Sequence, residues 1–435
     1  MAVLGILIGL VVIGLIMFFH EGGHFLAGRL LNFKILEFSI FMGPRLLSTE
    51  KKGIKYSFKL LPIGASVRFA GEHNEDDEEN KVNYDNDDPG LFFNRPRWAR
   101  ALVVFSGPLA NFVTAFLAFI IMFVSFGVVL PKLEAPPVDS LAYEVGLEAG
   151  DKILEVNNEK IHTLIDFSMA TDFVDPQEQK VFLIEKESGA QKRVVLTPRT
   201  EDNYKLGIQH QINPDGTGII LNVDPRSNQG SPVLLKDDII LTINNIAFEE
   251  ALSQGISQEE SESLNLSVKR GEEVISVSMV TTLFTDQVNE GLYLTDSKSF
   301  NNVITQAVLY PWSIIKSTVK GFGMIFAGEM KFSEGVTGPI GIVKMLSDTV
   351  SENTDIKLIV YQLLFYFALI SVALGFTNLL PIPPLDGHHL LILGVEGVRG
   401  KNLSKKFKQA VASVGMFLIL MLALFVIYVD VKRFF

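Results

Sequence analysis

The chain has 435 residues, 48% of them hydrophobic, and a formal net charge of −11 at pH 7. This length suffices for several domains, and the negative charge argues against nucleic acid as a partner. The chain contains no cysteine, which excludes disulfide bonds, thiolate metal sites and thiol nucleophiles.

Four long apolar stretches predict four transmembrane helices. Each contains an uncharged run long enough to cross a hydrocarbon core of about 30 Å at a rise of about 1.5 Å per residue. The predicted helices cover residues 1–30, 97–130, 356–380 and 408–430. The first could instead be a cleaved signal peptide, but it lacks a basic start and a small-x-small cleavage site. We therefore expect this helix to be retained.

The distribution of basic residues predicts how these helices are oriented. Lysine and arginine are concentrated between the first and second helices and again after the third helix. The positive-inside rule places both of these loops in the cytoplasm, with both termini and residues 131–356 on the other side. The first and third helices then both end near the cytoplasmic face, which brings their polar ends, residues 18–30 and 375–390, to the same depth.

The end of the first helix carries the sequence HEGGH, residues 20–24. His20 and His24 are four residues apart and project from one helical face, so both can bind one zinc ion. Zinc lowers the pKa of bound water, and Glu21 is placed to accept the proton of that water. The alternative is a set of polar residues at a helix end by the membrane interface, but ionisable groups at membrane depth are costly without a function.

A catalytic zinc ion needs a third protein ligand and an open position. Asp386, in the sequence PPLDGHHL after the third helix, is the leading candidate, and His388 and His389 are its rivals. Asp386 could alternatively be the N-cap of a helix that starts near Gly387.

Asn378 lies at the end of the third helix, in the sequence FTNLLP. Its amide could donate a hydrogen bond to a substrate carbonyl or to a developing oxyanion, or it could cap a broken helix before Pro381. The prolines that follow predict a loop over residues 381–407, because proline stops a helix. Irregular backbone at membrane depth is tolerated where it lines a cavity.

Residues 34–70 alternate as β-strands do, and residues 51–53, Lys-Lys-Gly, supply a turn. We expect a β-hairpin or small sheet directly after the first helix. Its open edge could bind an extended substrate segment, or the hairpin could be purely structural. The acidic residues that follow predict a solvated cytoplasmic loop over residues 71–96, with a divalent-cation site there as a weaker alternative.

The region after the second helix is less apolar and contains an internal repeat. GLEAGDKILEVNNEKI at 146–161 parallels LLKDDIILTINNIAF at 234–248. The first copy resembles the signature of bacterial PDZ domains, so we predict PDZ-like modules over residues 131–205 and 206–290. Their grooves could bind peptide ligands as an added strand, or the modules could exclude substrates with bulky external domains; we favour the steric filter. Residues 300–350 predict an interfacial helical segment.

Three sequences together resemble the site-2 protease family of intramembrane zinc metalloproteases: HEGGH in the first helix, FSGPLANF at residues 105–112 and NLLPIPPLDG after the third helix. The resemblance extends over essentially the whole chain. It implies these roles for the site residues: zinc ligation by His20, His24 and Asp386, water activation by Glu21, and stabilisation of the substrate or transition state by Asn378. The sequence departs from the family pattern in LDGHH, where relatives usually have a second glycine, so His388 could be an additional ligand.

The predicted fold is a multi-pass α-helical membrane protein with four transmembrane helices, a membrane-associated β-hairpin or sheet and two extracytoplasmic PDZ-like α/β modules. The resemblance implies a zinc endopeptidase of the bacterial inner membrane, with the modules and both termini in the periplasm. It implies single-span membrane protein substrates, such as anti-sigma factors after a first cleavage, and remnant signal peptides. Release of a cytosolic fragment would start a stress response. The alternatives are a membrane PDZ scaffold with a structural metal site and a zinc transporter.

Overall fold

A computed structural model describes residues 2–72, 87–173, 175, 177–254, 263–353 and 355–434. The contacts divide the chain into two units. The first comprises Met1–Pro131, Lys160–Ala170 and Leu294–Phe435, and the second comprises Lys132–Glu159 and Thr171–Tyr293.

The helices of the described residues range from single turns to long apolar rods. Their bounds are α1 Ala2–Leu30, α2 Arg97–Phe126, α3 Leu141–Glu144, α4 Leu164–Thr171, α5 Ser227–Gly230, α6 Phe248–Gln254, α7 Phe300–Ala327, α8 Phe332–Gly335, α9 Pro339–Glu352, α10 Ile356–Asn378, α11 Asp386–Arg399 and α12 Lys405–Phe434. A short 3-10 helix, Phe92–Asn94, precedes α2.

Four helices in the described part of the chain are long and apolar enough to cross a membrane. These candidate spans are Leu4–Leu30, Arg97–Phe126, Ile356–Asn378 and Lys406–Phe434. They lie where the sequence predicts transmembrane helices. The second helix ends at Phe126 and not at residue 130, because Gly127 adopts a φ of 95° and the chain continues as a strand.

The prediction of a loop over residues 381–407 is wrong for most of that range. The prolines do end α10, but α11 begins at Asp386 and continues to Arg399, where Gly400 in the left-handed conformation ends it. The chain is tightly packed where this helix begins, since a Cβ at Gly387 would collide with the backbone oxygen of Leu379. Gly387 is therefore a position at which a side chain does not fit without a shift of the backbone.

Residues 300–350 are largely helical, as the sequence predicts, and form α7, α8 and α9. The buried face of α7 contributes Val303, Ala307, Tyr310 and Ile314 to an apolar core that it shares with α2 and α10. The Gly-Pro pair begins α9, with Gly338 at the N-cap and Pro339 in the first turn. The interfacial position of this segment stays a prediction.

The segment between α1 and α2 begins with a twisted antiparallel sheet. Its strands are β1, Ile35–Lys51, and β2, Ile54–Phe69, joined by a turn in which Lys52 and Gly53 adopt positive φ angles. Residues 35–40 pair with residues 65–69 on one side and with residues 55–58 on the other. Both strands therefore bend back on themselves, which leaves residues 65–69 as an edge. The hairpin and its turn agree with the prediction.

Most of the acidic loop predicted over residues 71–96 lies outside the described residues, since residues 73–86 are among those that the structure does not describe. The remaining strands fall mainly in the second unit. Their bounds are β3 Val128–Leu133, β4 Lys152–Val156, β5 Glu159–Lys160, β6 Lys180–Glu185, β7 Gln191–Leu196, β8 Thr200–Lys205, β9 Ile208–Ile212, β10 Gly218–Val223, β11 Ile239–Ile243, β12 Ile246–Ala247, β13 Ser263–Arg270, β14 Glu273–Val280, β15 Thr282–Gln287 and β16 Leu294–Ser297.

The internal repeat of the sequence is also a repeat of local structure in the second unit. Asp151 and Asp238 each accept a hydrogen bond from the backbone N–H three residues earlier, at 3.0 and 2.9 Å. Asn157 and Asn244 each accept one from the backbone of a neighbouring strand, at 2.8 and 2.9 Å. The two copies belong to two sheets, in which β3-β4-β6-β7 and β14-β13-β11-β10-β9 are neighbouring strands. Their assignment as PDZ-like modules stays a prediction.

Candidate metal centre

The last turns of α1 present two histidines on one face. His20 and His24 are 7% and 8% exposed, and their Nε2 atoms lie 3.3 Å apart. The helix passes very close to α2 at this level, since a Cβ at Gly23 would collide with the backbone oxygen of Ser106. Gly23 of HEGGH therefore allows α2 to approach the histidines.

The first residue of α11 brings a carboxylate to the same point. Oδ2 of Asp386 lies 3.1 Å from Nε2 of His20 and 3.5 Å from Nε2 of His24. The N-cap of α11 is Leu385, and no side-chain hydrogen bond caps this helix. Asp386 is thus placed to serve as a ligand and is not the N-cap that the alternative proposed.

The three side chains fit a bound cation. Their ligand atoms all lie within 4.8 Å of one another, and no other group of this kind occurs among the described residues. Nδ1 of His24 lies 2.8 Å from the backbone oxygen of Val103 and must donate to it, so Nε2 carries a lone pair. Oδ2 of Asp386 is buried and accepts no hydrogen bond. The lone pairs of His24 Nε2 and Asp386 Oδ2 thus face each other with no donor between them. Such an arrangement is unfavourable unless a positive charge lies between the two atoms.

The donor set also indicates which cation suits it. Two imidazoles and one carboxylate are ligands that zinc accepts, and three protein ligands leave the open position of a catalytic site. His388 and His389, the rival ligands predicted from sequence, do not belong to this group. His388 is buried on α11, with its ring 5.8 Å from that of His389.

Glu21 lies next to the ligands and is fixed by the sheet. Its Oε2 accepts a hydrogen bond from the backbone N–H of Val67, at 2.9 Å. Val67 belongs to the edge segment of β2. The Glu21 carboxylate is therefore hydrogen-bonded to the edge of the sheet on which the sequence predicts substrate binding.

Asn378 is the last residue of α10 and also reaches the site. Its Nδ2 lies 3.3 Å from Nε2 of His20. The structure thus brings together the five residues to which the resemblance gives roles: His20, Glu21, His24, Asn378 and Asp386.

FSGPLANF of α2 carries part of the family resemblance, but the sequence assigned no role to single residues of this helix. The backbone oxygen of Val103 accepts a hydrogen bond from His24. Gly107 leaves room for the His24 ring, since a Cβ there would collide with it. Asn111 is fully buried, and its Nδ2 lies 3.2 Å from Nδ1 of His20. Asn111 was the residue that could have indicated this contribution from sequence, because a polar side chain in an otherwise apolar span needs a partner.

The chain matches peptidase family M50 over residues 8–422. A protein of Fusobacterium nucleatum named "putative zinc metalloprotease" is 28% identical over 436 residues, which cover 99% of each chain. Metalloprotease MmpA of Caulobacter vibrioides is 26% identical over 448 residues, which cover 98% of this chain and 94% of the relative. The matched range contains every residue of the site, and the chain therefore belongs to peptidase family M50.

Proposed function

We propose that this chain is an intramembrane zinc endopeptidase of the site-2 protease type. The observation that carries the proposal is the convergence of His20, His24 and Asp386 beside Glu21, with both histidines inside a candidate membrane span. Membership of a peptidase family and the names of the metalloprotease relatives support it.

The proposed chemistry assigns a separate task to each side chain. His20, His24 and Asp386 would hold zinc, which lowers the pKa of a bound water and polarises a carbonyl group. Glu21, held by Val67, takes a proton from the attacking water and returns it to the leaving amine. Asn378 donates a hydrogen bond to the substrate oxygen on which negative charge develops.

The sheet offers a way to present the scissile bond. A peptide bond inside a helix is shielded by the helix's own hydrogen bonds and must be extended before water can attack it. The edge segment 65–69 lies beside Glu21. Glu21 already occupies the N–H of Val67, and Glu72 occupies that of Phe69. An extended segment would therefore pair with the remaining backbone groups of this edge, which would fix it against the site.

The proposed substrates are single-span membrane proteins of the anti-sigma factor type after a first cleavage, and remnant signal peptides. We place the enzyme in a bacterial inner membrane, with both termini and the PDZ-like modules in the periplasm and the metal centre near the cytoplasmic face. The basic loops between α1 and α2 and after α10 support this orientation. A scaffold with a structural metal is less well supported, because structural zinc is normally enclosed by four protein ligands.

The test compares purified wild-type protein with Glu21→Gln, using a tagged, trimmed single-span substrate in liposomes and quantified zinc. We expect Glu21→Gln to retain zinc and to cleave about 10²- to 10⁴-fold more slowly, the range for loss of a general base. Glu50→Gln, an exposed glutamate on the same sheet, is the matched control and should cleave like wild type. Equal cleavage by Glu21→Gln would refute the mechanism, and zinc-loaded wild type that cleaves no such substrate would favour the scaffold.

A further inference from the structure

We propose that Asn111 of α2 is a positioning residue that fixes the tautomer of His20. In this arrangement, Oδ1 of Asn111 accepts a hydrogen bond from the Nδ1–H of His20, which leaves the lone pair of Nε2 free for the metal. The inference rests on the proposed function only in treating His20 as a zinc ligand.

The surroundings of the His20 ring determine which nitrogen carries the proton. Nε2 faces Oδ2 of Asp386 at 3.1 Å and Nδ2 of Asn378 at 3.3 Å. A metal held together with Asp386 takes the lone pair of Nε2, so this nitrogen cannot carry hydrogen when His20 is a ligand. A neutral imidazole has one donor and one acceptor nitrogen, and Nδ1 must therefore carry the hydrogen.

The side chain available to Nδ1 is that of Asn111. The contact is 3.2 Å long, Asn111 is 0% exposed, and Oδ1 of Asn111 is buried without a hydrogen-bond partner. The two ends of an amide are similar in size, so half a turn about its last torsion exchanges them within the same space. This turn replaces a contact between two donors with a hydrogen bond and gives Oδ1 a partner.

The same helix orients the second histidine ligand by the same principle. Nδ1 of His24 donates to the backbone oxygen of Val103 at 2.8 Å. Val103, Gly107 and Asn111 are spaced by four residues and therefore share one face of α2. Gly107 leaves room for the His24 ring between the two acceptors. One face of α2 thus supplies an acceptor for each imidazole.

Asn111 is itself held in place by its neighbours. Its backbone oxygen accepts hydrogen bonds from the hydroxyls of Thr114 and Ser371, at 3.1 and 3.2 Å. Gly375 of α10 allows a close approach to the Asn111 side chain, with its added Cβ 3.3 Å from the Asn111 Cβ. An amide at this depth also orients the imidazole without adding a charge to the membrane span.

The first experiment measures zinc affinity of the full-length protein by competition with a chromophoric chelator. We expect Asn111→Leu to weaken zinc binding about 10- to 100-fold, as loss of a ligand's outer hydrogen bond typically does. Asn111→Asp keeps an acceptor and should stay near the wild-type affinity. Asn353→Leu makes the same exchange away from the metal centre and should bind like wild type. Wild-type affinity in Asn111→Leu, or equal losses in Asn111→Leu and Asn111→Asp, would overturn the proposal.

A second measurement depends on no variant of Asn111. Nitrogen NMR of histidine-labelled wild-type protein reads which ring nitrogen carries hydrogen, and the chain has only seven histidines to distinguish. The His20 signals are identified by their loss in His20→Asn. In the zinc-loaded protein we expect the Nδ1–H tautomer, and an Nε2–H tautomer there would refute the proposal. Neither measurement uses a substrate. An absence of proteolysis would therefore contradict the proposed function and would leave the role of Asn111 unaffected.

Discussion

At the scale of single residues, three candidate ligand side chains from two helices meet at one point. His20 and His24 lie four residues apart on α1, whereas Asp386 is the first residue of α11. The HEGGH spacing predicts the first pair because the helical period places both side chains on one face. The depth of Asp386 follows from counting spans, and the family resemblance favours it over the adjacent histidines; the structure adds the distances that place its carboxylate beside both imidazoles.

The ligand assignment predicts a large difference between two nearby substitutions. Asp386→Ala removes one of three ligands, so its zinc affinity should fall by more than the roughly 100-fold that loss of an outer hydrogen bond causes. His389→Ala removes an exposed imidazole of the same helix and should leave zinc content unchanged. Zinc analysis of both purified variants after dialysis checks this expectation. Retention of zinc by Asp386→Ala would show that another group completes the site.

The position of Asn378 predicts an effect on turnover and not on binding. If its amide stabilises the developing oxyanion, Asn378→Ala should lower kcat about 10²- to 10³-fold, with zinc content and KM little changed. Thr377→Val removes the hydroxyl of the preceding residue, which bonds only within α10, and is the matched control. An unchanged kcat in Asn378→Ala would show that Asn378 ends α10 but does not stabilise the oxyanion.

The residues that sequence reasoning missed share a physical cause. Asn111, Gly107 and Val103 act through contacts between α1 and α2, and those contacts depend on the rotation and separation of the two helices. A spacing within one helix reveals which side chains share its face, but it does not reveal which face of a neighbouring helix they meet.

At the scale of the elements, the approach of α1 to α2 determines the site. Gly22 and Gly23 are neighbours in HEGGH, yet a Cβ at Gly22 would meet no atom within 4 Å, whereas one at Gly23 would collide with the backbone of α2. Backbone atoms of a helix cannot yield as a flexible side chain does. Gly23 is therefore needed for the close packing of α1 against α2, whereas Gly22 is not. The sequence pattern alone does not reveal this difference.

This difference predicts opposite results for two alanine substitutions. Gly23→Ala should destabilise the protein by about 1–3 kcal/mol, as overpacking does, and should weaken zinc binding because α2 shifts. Gly22→Ala should be neutral or stabilising by up to about 1 kcal/mol, the helix-propensity difference. Thermal unfolding in detergent, with zinc titration, measures both. Equal stability of the two variants would contradict the close packing of α1 against α2.

The helices and the sheet also show where sequence patterns suffice. The four long apolar helices and the turn at residues 51–53 follow from composition and hydropathy. The end of α2 at Phe126 did not follow, because the conformation of Gly127 determines it. A helix near Gly387 was only an alternative to the predicted loop, and the structure shows it as α11. Tertiary contacts override local propensity at such positions.

At the scale of the whole molecule, the chain combines a helical unit that holds the metal centre with a second unit that is rich in β-strands. The absence of cysteine makes the orientation directly measurable, because any introduced thiol is the only one in the chain. Ser188 is an exposed residue of the second unit, and Lys401 is exposed in the basic region after α11.

The proposed orientation predicts that these two positions label from opposite sides. A membrane-impermeant maleimide should modify Ser188→Cys from the periplasmic side of intact membranes. It should modify Lys401→Cys only in inverted vesicles, because the positive-inside rule places the basic region in the cytoplasm. Labelling of both thiols from one side would show that the spans are counted or oriented incorrectly.

The metal centre is proposed to cleave a peptide bond within a membrane span, and mapping the scissile bond decides whether it does. Wild-type protein in liposomes would be incubated with a trimmed single-span substrate, and the products would be identified by mass spectrometry. We predict a single main cut inside the apolar segment, which disappears when zinc is removed and in Glu21→Gln. Cleavage only outside that segment, or a cut that persists in Glu21→Gln, would contradict the claim.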